Sequence, residues 1–276
     1  MSVVRLGAVE YLNARPLVFR LDRQPRFDLR FDWPSRCAAL LHEGAIDLGL
    51  VPSIEYLRPP DSARGTRAYH IVPDLAVASR GAVASVAIYT TKPMGDVRSL
   101  GLDTSSRTSV ALTRVLSARV FRIQPDLRAL GPDLASMLAA CDAALLIGDK
   151  ALLLEGGRMV IGGREVEVEK IDLGELWLRE TGLPFVFAFW AGRAGAVSAV
   201  DVEALQRARD AAVLQPETVS AEYFRDQPQL RALGTRYLRD NIRYHLGADE
   251  LAGLELFYRY AAEAGVVAAA EPLRFF

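Results

Sequence analysis

Three clusters of small hydrogen-bonding side chains stand where an apolar run gives way to a helical pattern. Asn13 follows Val3–Gly7 by way of Tyr11-Leu12, and Ser53 closes the run Asp47-Leu48-Gly49-Leu50-Val51-Pro52. Thr104-Ser105-Ser106-Arg107-Thr108-Ser109 follows the apolar stretch Ser99–Asp103. Each reads as a strand running into a helix N-terminus. A first helical turn leaves N–H groups unpaired and carries partial positive charge. Such junctions side by side make a seat for a small carboxylate-bearing molecule. The simpler reading of Asn13, Ser53 and one of the later hydroxyls is an N-cap. Six polar residues in a row exceed what capping needs, which points to anion binding by some of Thr104, Ser105, Ser106 and Thr108. Arg107 has two readings, into the cleft or to solvent. Ser85, at the entrance to a β-rich stretch, is a further candidate for the cleft. Asp149 is a carboxylate near its edge, although a helix-start charge explains it as well. Trp177, Phe187 and Trp190 read as core aromatics, with an edge available to an apolar ring.

Other chemistries lack their residues. No Gly-x-Gly-x-x-Gly, phosphate-binding loop, zinc motif or Gly-x-Ser-x-Gly elbow occurs, and His42, His70 and His245 have no metal-ligand spacing. An enzyme built this way works without a cofactor, by positioning and hydrogen bonding. Cys37 and Cys141 lie far apart in apolar contexts and read as reduced and buried. The 33 basic and 34 acidic residues leave a net charge of −1, which argues against a nucleic-acid binder with a wide basic face. No run approaches a membrane span, and no secretory signal is read at the N-terminus, so the expected location is the cytoplasm.

The elements that must hold these residues follow from periodicity and caps. Strands are expected near 3–7, 27–33, 47–51, 71–78, 83–91, 99–103, 143–147, 165–172 and 183–190. Helices are expected over 14–23, 35–43, 106–121, 133–140, from 149, 173–180, 200–215, 217–225, 229–246 and 249–264, with residues 58–68 as loop. Strand–helix alternation argues for α/β layers. The stretches near 83–91 and 184–191 flank the middle block and read as two hinge strands. They divide the chain into one lobe of residues 1–86 with 190–276, and a second of 87–189, with the ligand cleft between them.

Five segments together resemble the chorismate dehydratases of the futalosine route to menaquinone. They are Gly7-x-x-x-Tyr11-Leu12-Asn13-x-x-Pro16, Asp47-x-Gly49-Leu50-Val51-Pro52-Ser53-x-Glu55-Tyr56, Leu102–Ser109, Leu146-Ile147-Gly148-Asp149-x-Ala151 and Asp172-Leu173-Gly174-x-x-Trp177. They keep the family's order over roughly residues 3–260. The resemblance implies a two-lobed, periplasmic-binding-protein-like fold of type II. It also implies dehydration of chorismate to 3-[(1-carboxyvinyl)oxy]benzoate by a cofactor-free monomer or homodimer, with no nucleic-acid or membrane partner. On that basis Thr104, Ser105 and Ser106 would bind one carboxylate, with Arg107 and Thr108 beside them. Ser53 and Ser85 would hold the rest of the substrate, and Asn13 would sit at the reacting C3–C4 edge. No protein base stands out, and the substrate's own enolpyruvyl carboxylate is a candidate. A solute-binding protein for an organic anion and the related 1,4-dihydroxy-6-naphthoate synthase share the fold and are the rival readings.

Overall fold

The computed structural model describes residues 3–58 and 69–276. The loop expected at 58–68 therefore lies, from residue 59 onward, outside the described residues. Eleven strands are described: β1 (Val4–Val9), β2 (Phe27–Asp32), β3 (Leu48–Pro52), β4 (Tyr69–Ser79), β5 (Val86–Thr90), β6 (Ser99–Asp103), β7 (Asp126–Leu130), β8 (Ala143–Ile147), β9 (Gly157–Ile161), β10 (Arg164–Asp172) and β11 (Phe185–Arg193). They form two sheets, ordered β2-β1-β3-β11-β4 and β7-β6-β8-β5-β10-β9. In the first, β1 runs parallel to β2 and β3, while β11 is antiparallel to β3 and β4. In the second, β6 is parallel to β7 and β8, and β5 is antiparallel to β8 and β10. The central strands β3 and β8 are buried along their whole length. That is why they read as continuous apolar runs rather than alternating ones.

Among the described residues, nine α-helices cover the sheets: α1 (Pro34–Glu43), α2 (Arg107–Leu116), α3 (Leu134–Ala140), α4 (Gly148–Leu153), α5 (Leu173–Thr181), α6 (Ala199–Val213), α7 (Pro216–Tyr223), α8 (Arg231–Arg236) and α9 (Ala248–Glu263). Their ends follow the caps in the sequence. Gly44 stops α1 and Gly182 stops α5, each with the left-handed φ that glycine adopts freely. Ser106 caps α2 by accepting the Ser109 N–H.

Several expectations need correction. The helix expected over 14–23 is two 3-10 segments, Leu12–Val18 and Leu21–Arg23. Pro16 offers no N–H to an α-helical ladder, and Arg20 turns left-handed at φ 58°. Asn13 is consequently inside the first segment and not its cap, a position held by Tyr11. The helix expected over 229–246 is a 3-10 turn, α8 and a π-turn at Tyr237–Asn241, with extended backbone from Ile242. A second π-turn, Ser117–Phe121, finishes α2. Strands β7 and β9 lie at the sheet edges and were not anticipated.

The crossings between lobes also differ from two continuous strands. β5 pairs only in the second sheet and β11 only in the first. The chain crosses at residues 80–85 and returns through α5 and 182–184. Gly81 at φ 109° and Ala84 at φ 61° interrupt the extended backbone of the first crossing. Residues 185–189, expected in the second lobe, pair with β3 and β4 in the first sheet. The Asp172 carboxylate fastens the two crossings together. It accepts the Val83 and Ala84 N–H groups at 3.0 and 2.6 Å, and the Gly174 and Glu175 N–H groups at the start of α5.

Most buried apolar side chains form one contiguous core that draws on both sheets; a smaller cluster around Tyr89, Met137 and Leu146 belongs to the second lobe. Trp177 and Trp190 are core residues at 1% and 0% exposure. Cys37 and Cys141 are free and buried. Among the described residues, no helix is long and apolar enough to cross a membrane.

Candidate functional site

The cleft between the sheets holds two spaces. The outer cavity is about 870 Å³ and is bordered by Tyr11, Arg15 and Trp33 of the first lobe, by Thr104, Ser105, Asp149 and Lys150 of the second, and by Tyr223 of α7. The inner pocket is far smaller, about 50 Å³. Asn13, Ser106 and Ser109 bring polar groups to it, and Val9, Leu50, Val86 and Phe187 are among its apolar walls. Tyr11 and Ile147 line both spaces and so divide them.

Tyr11 is held in that dividing position from two sides. Its hydroxyl donates to Ser105 Oγ at 3.4 Å. Its ring lies over Gly148, where an added Cβ would come within 3.0 Å of three ring atoms. Burial pushes the Tyr11 phenol up to about 12, so it stays protonated at neutral pH.

The first turn of α2 supplies the hydroxyl floor. Ser106 Oγ accepts the Ser109 N–H at 3.3 Å and lies 3.0 Å from Ser109 Oγ. Ser109 was missed as a site residue from sequence. Its signal was its spacing, since positions three apart on a helix share a face. Ser105 turns the other way. Its hydroxyl donates to Asp103 Oδ1 at 2.6 Å, and its carbonyl accepts the Ser35 N–H at 3.0 Å across the cleft. Thr104 is exposed at the outer cavity.

The remaining expected residues do other work in this geometry. Ser53 and Thr108 are fully buried and meet each other between the lobes. Ser53 Oγ donates to the Val186 carbonyl at 2.8 Å, and Thr108 Oγ1 accepts the Ile54 N–H at 3.2 Å. Arg107, whose direction the sequence left open, is drawn away from both cavities. Its Nη1 donates to the buried carboxylate of Glu55 at 2.6 Å, and that carboxylate also lies 3.1 Å from His42 Nε2. Ser85 is 1% exposed and stands behind the pocket wall formed by its neighbours Val83 and Val86. Its hydroxyl accepts from Tyr237 at 2.7 Å.

Asp149 is the cleft-edge carboxylate that the sequence also explained as a helix-start charge. Here it clasps the first lobe. It accepts the Leu12 N–H at 3.3 Å and the Tyr223 hydroxyl. Burial raises its pKa above the usual carboxylate range, against the pull of those two donors. Arg15 is stacked between the rings of Phe31 and Tyr223, at 4.1 and 5.0 Å from their centroids, and burial lowers its pKa. The whole cleft thus consists of donors and apolar walls at the inner end and charged side chains at the outer end.

Comparison with known proteins agrees with this architecture. The chain matches, over residues 4–263, a family model described as menaquinone biosynthesis. It is 33% identical over 261 residues to a chorismate dehydratase of Thermus thermophilus, covering 91% of this chain and 93% of that protein. Among solved structures, one from Archaeoglobus fulgidus superposes with a TM-score of 0.68 at 13% identity, covering 96% of this chain and 98% of the other. The periplasmic aliphatic sulphonate binding protein of Escherichia coli superposes at 0.62 with 17% identity, covering 98% and 95%. The fold is therefore the two-lobed, periplasmic-binding-protein-like one, and the chain belongs to the menaquinone-biosynthesis family.

Proposed function

We propose that this protein is a chorismate dehydratase, a hydro-lyase that converts chorismate to 3-[(1-carboxyvinyl)oxy]benzoate and water in the futalosine route to menaquinone. The composition of the inner pocket carries the reading. Among the described residues lining it there is no carboxylate, imidazole, amine or guanidinium. What faces the ligand is an amide, two serine hydroxyls, a protonated phenol and apolar side chains. That set binds and shields an anionic ring; it does not offer a strong base.

The reaction asks for little more. The C3–H and C4–O bonds break, the ring becomes aromatic, and the departing hydroxide combines with the proton as water. Charge that develops on removing the C3 proton spreads to the ring carboxylate. Donors at the first turn of α2, Ser106 and Ser109 above all, would stabilise it there. Asn13 is assigned to the C3–C4 edge. The proton acceptor in this scheme is the substrate's own enolpyruvyl carboxylate. Thr104 and Ser105 would meet the substrate at the outer cavity as it enters, with Arg107, Ser53 and Thr108 joining the lobes over it. A ring-sized dicarboxylate exceeds the inner pocket as it stands, so Tyr11 withdraws or the lobes part during entry. No cofactor is called for. A cytoplasmic location and a monomer or homodimer go with this reading.

Incubating the purified protein with chorismate tests it. Loss of the diene absorbance with a new aromatic product is the expected result. Saturable binding without turnover would instead favour an organic-anion binding protein. In the same assay Asn13→Ala should lose about 100-fold or more in turnover, the usual scale for removing a positioned donor.

A further inference from the structure

The geometry points to Tyr11 as the proton donor to the departing C4 hydroxyl, with Ser105 as the residue that positions it. The assignment rests on the dehydratase reading given above. Hydroxide leaves poorly unless it takes up a proton as it goes, so the site must supply one. Among the described residues lining the inner pocket, Tyr11 alone carries a titratable proton. The other polar side chains there are the Asn13 amide and the hydroxyls of Ser106 and Ser109. Tyr11 holds the N-cap position of the Leu12–Val18 segment, and Asn13 lies within that segment. The amide assigned to the C3–C4 edge and the phenol therefore reach the pocket from one short stretch of backbone.

The hydrogen bonds around the phenol run in one direction. Ser105 Oγ donates to Asp103 Oδ1 at 2.6 Å, so toward Tyr11 it acts as an acceptor. The phenol hydrogen points to it at 3.4 Å, a long bond. A hydrogen held so loosely turns to a substrate hydroxyl at small cost. The ring is fixed more firmly, against Gly148, so the oxygen keeps its place while the hydrogen turns. Once the phenol has given its proton away, Ser105 can swing its own hydrogen from Asp103 to the phenolate. Asp103 still accepts the Ser105 N–H at 3.0 Å.

The step balances with no further reactant. The enolpyruvyl carboxylate takes the C3 proton, and the C3–H electron pair enters the ring. The C4–O pair leaves with the oxygen, which takes the Tyr11 proton and departs as water. The enolpyruvyl carboxylic acid then returns the C3 proton to the phenolate, and both groups are restored. Burial pushes the phenol up to about 12, still well below the value of about 15.7 for water. Transfer to a departing hydroxide thus runs downhill, and so does the return from a carboxylic acid.

Tyr11→Phe keeps the ring against Gly148 and removes the acid. The expected result with chorismate is a kcat lower by about 100-fold or more, with KM within about twofold and affinity for the aromatic product unchanged. Ser105→Ala should lower kcat by less, and should have no further effect in a Tyr11→Phe background, because the group it positions is gone. A second measurement tests the proton itself. With 3-fluorotyrosine, a more acidic phenol, in place of Tyr11, the alkaline fall of kcat should move to lower pH, since a phenolate has no proton to give. Parent-like kcat in Tyr11→Phe, a loss carried by KM instead of kcat, or an alkaline limb that fluorination does not move would each overturn the assignment while leaving the dehydratase reading intact. If the parent protein binds chorismate without converting it, the dehydratase reading fails and the assignment falls with it.

Discussion

Ser106 shows how one residue serves fold and site together. Its hydroxyl caps α2 and also faces the inner pocket. Ser106→Ala should therefore show two separable losses. Removing the cap costs about 1 kcal/mol of stability, read by chemical denaturation. Removing a donor from the carboxylate seat raises KM for chorismate. Ser109→Ala keeps the cap oxygen and should raise KM with a smaller stability loss. Gly148 poses a different constraint. At φ 67° it adopts a conformation that side chains resist, and its missing Cβ is what admits the Tyr11 ring. Gly148→Ala should cost about 1–2 kcal/mol from backbone strain alone and push Tyr11 out of its dividing position. Equal stability of the variant and the parent would show that the ring does not depend on that glycine.

At the scale of elements, one carboxylate ties together the ends of inner strands of the second sheet. Asp142, just before β8, accepts from Lys92 Nζ at 2.7 Å and from the N–H groups of Arg98 and Ser99 at 2.8 and 3.0 Å, where β6 begins. The Lys92 bond, with these backbone donors, holds its pKa down at about 2, below the ordinary aspartate range. The folded protein thus prefers the ionised form, and the stability gained is present above the unfolded value. It is lost as pH falls through the folded one. Asp142→Asn should lower Tm by about 3 °C at neutral pH, with the gap to the parent closing as pH drops toward 2. A gap independent of pH would mean that the charge is not what matters. Elements of this kind were legible to different degrees. Strand β6 was read to the residue from its apolar run and the polar break after Asp103, and α1 and α5 from the glycines that end them. The 3-10 segments around Asn13 were not. Proline is tolerated in the first turn of an α-helix, so Pro16 gives no warning of the 3-10 turn, and a left-handed arginine at position 20 carries no sequence signal. Of the site, the Ser106 turn could be read from its hydroxyls. The direction of Arg107 could not, since only tertiary packing brings the Glu55 carboxylate within its reach.

For the molecule as a whole, the question is what keeps the two lobes together with so small an inner pocket between them. Two ion-bearing contacts join the lobes across the cleft. Arg107 of the second lobe reaches the buried Glu55 of the first at 2.6 Å. Asp149 of the second lobe takes the Leu12 N–H and the Tyr223 hydroxyl of the first. The Ser35–Ser105 backbone bond and the Ser53–Thr108 pair also join the lobes. Closing such a cleft expels water and strengthens every hydrogen bond inside it. Ligand entry requires the same contacts to break, so their strength sets the balance between open and closed states. A compact chain of 276 residues has a radius of gyration of about 19 Å. The parent protein should scatter X-rays in solution near that value. Arg107→Ala combined with Asp149→Ala removes one partner from each of the two contacts. The double variant should show a larger radius without ligand and return toward the parent value when the aromatic product is added, because the ligand then supplies contacts to both lobes. Its KM should rise in inverse proportion to the fraction of molecules still closed, with kcat little changed once the substrate has closed them. A double variant as compact as the parent would mean that the shared apolar core, and not these two contacts, holds the cleft shut.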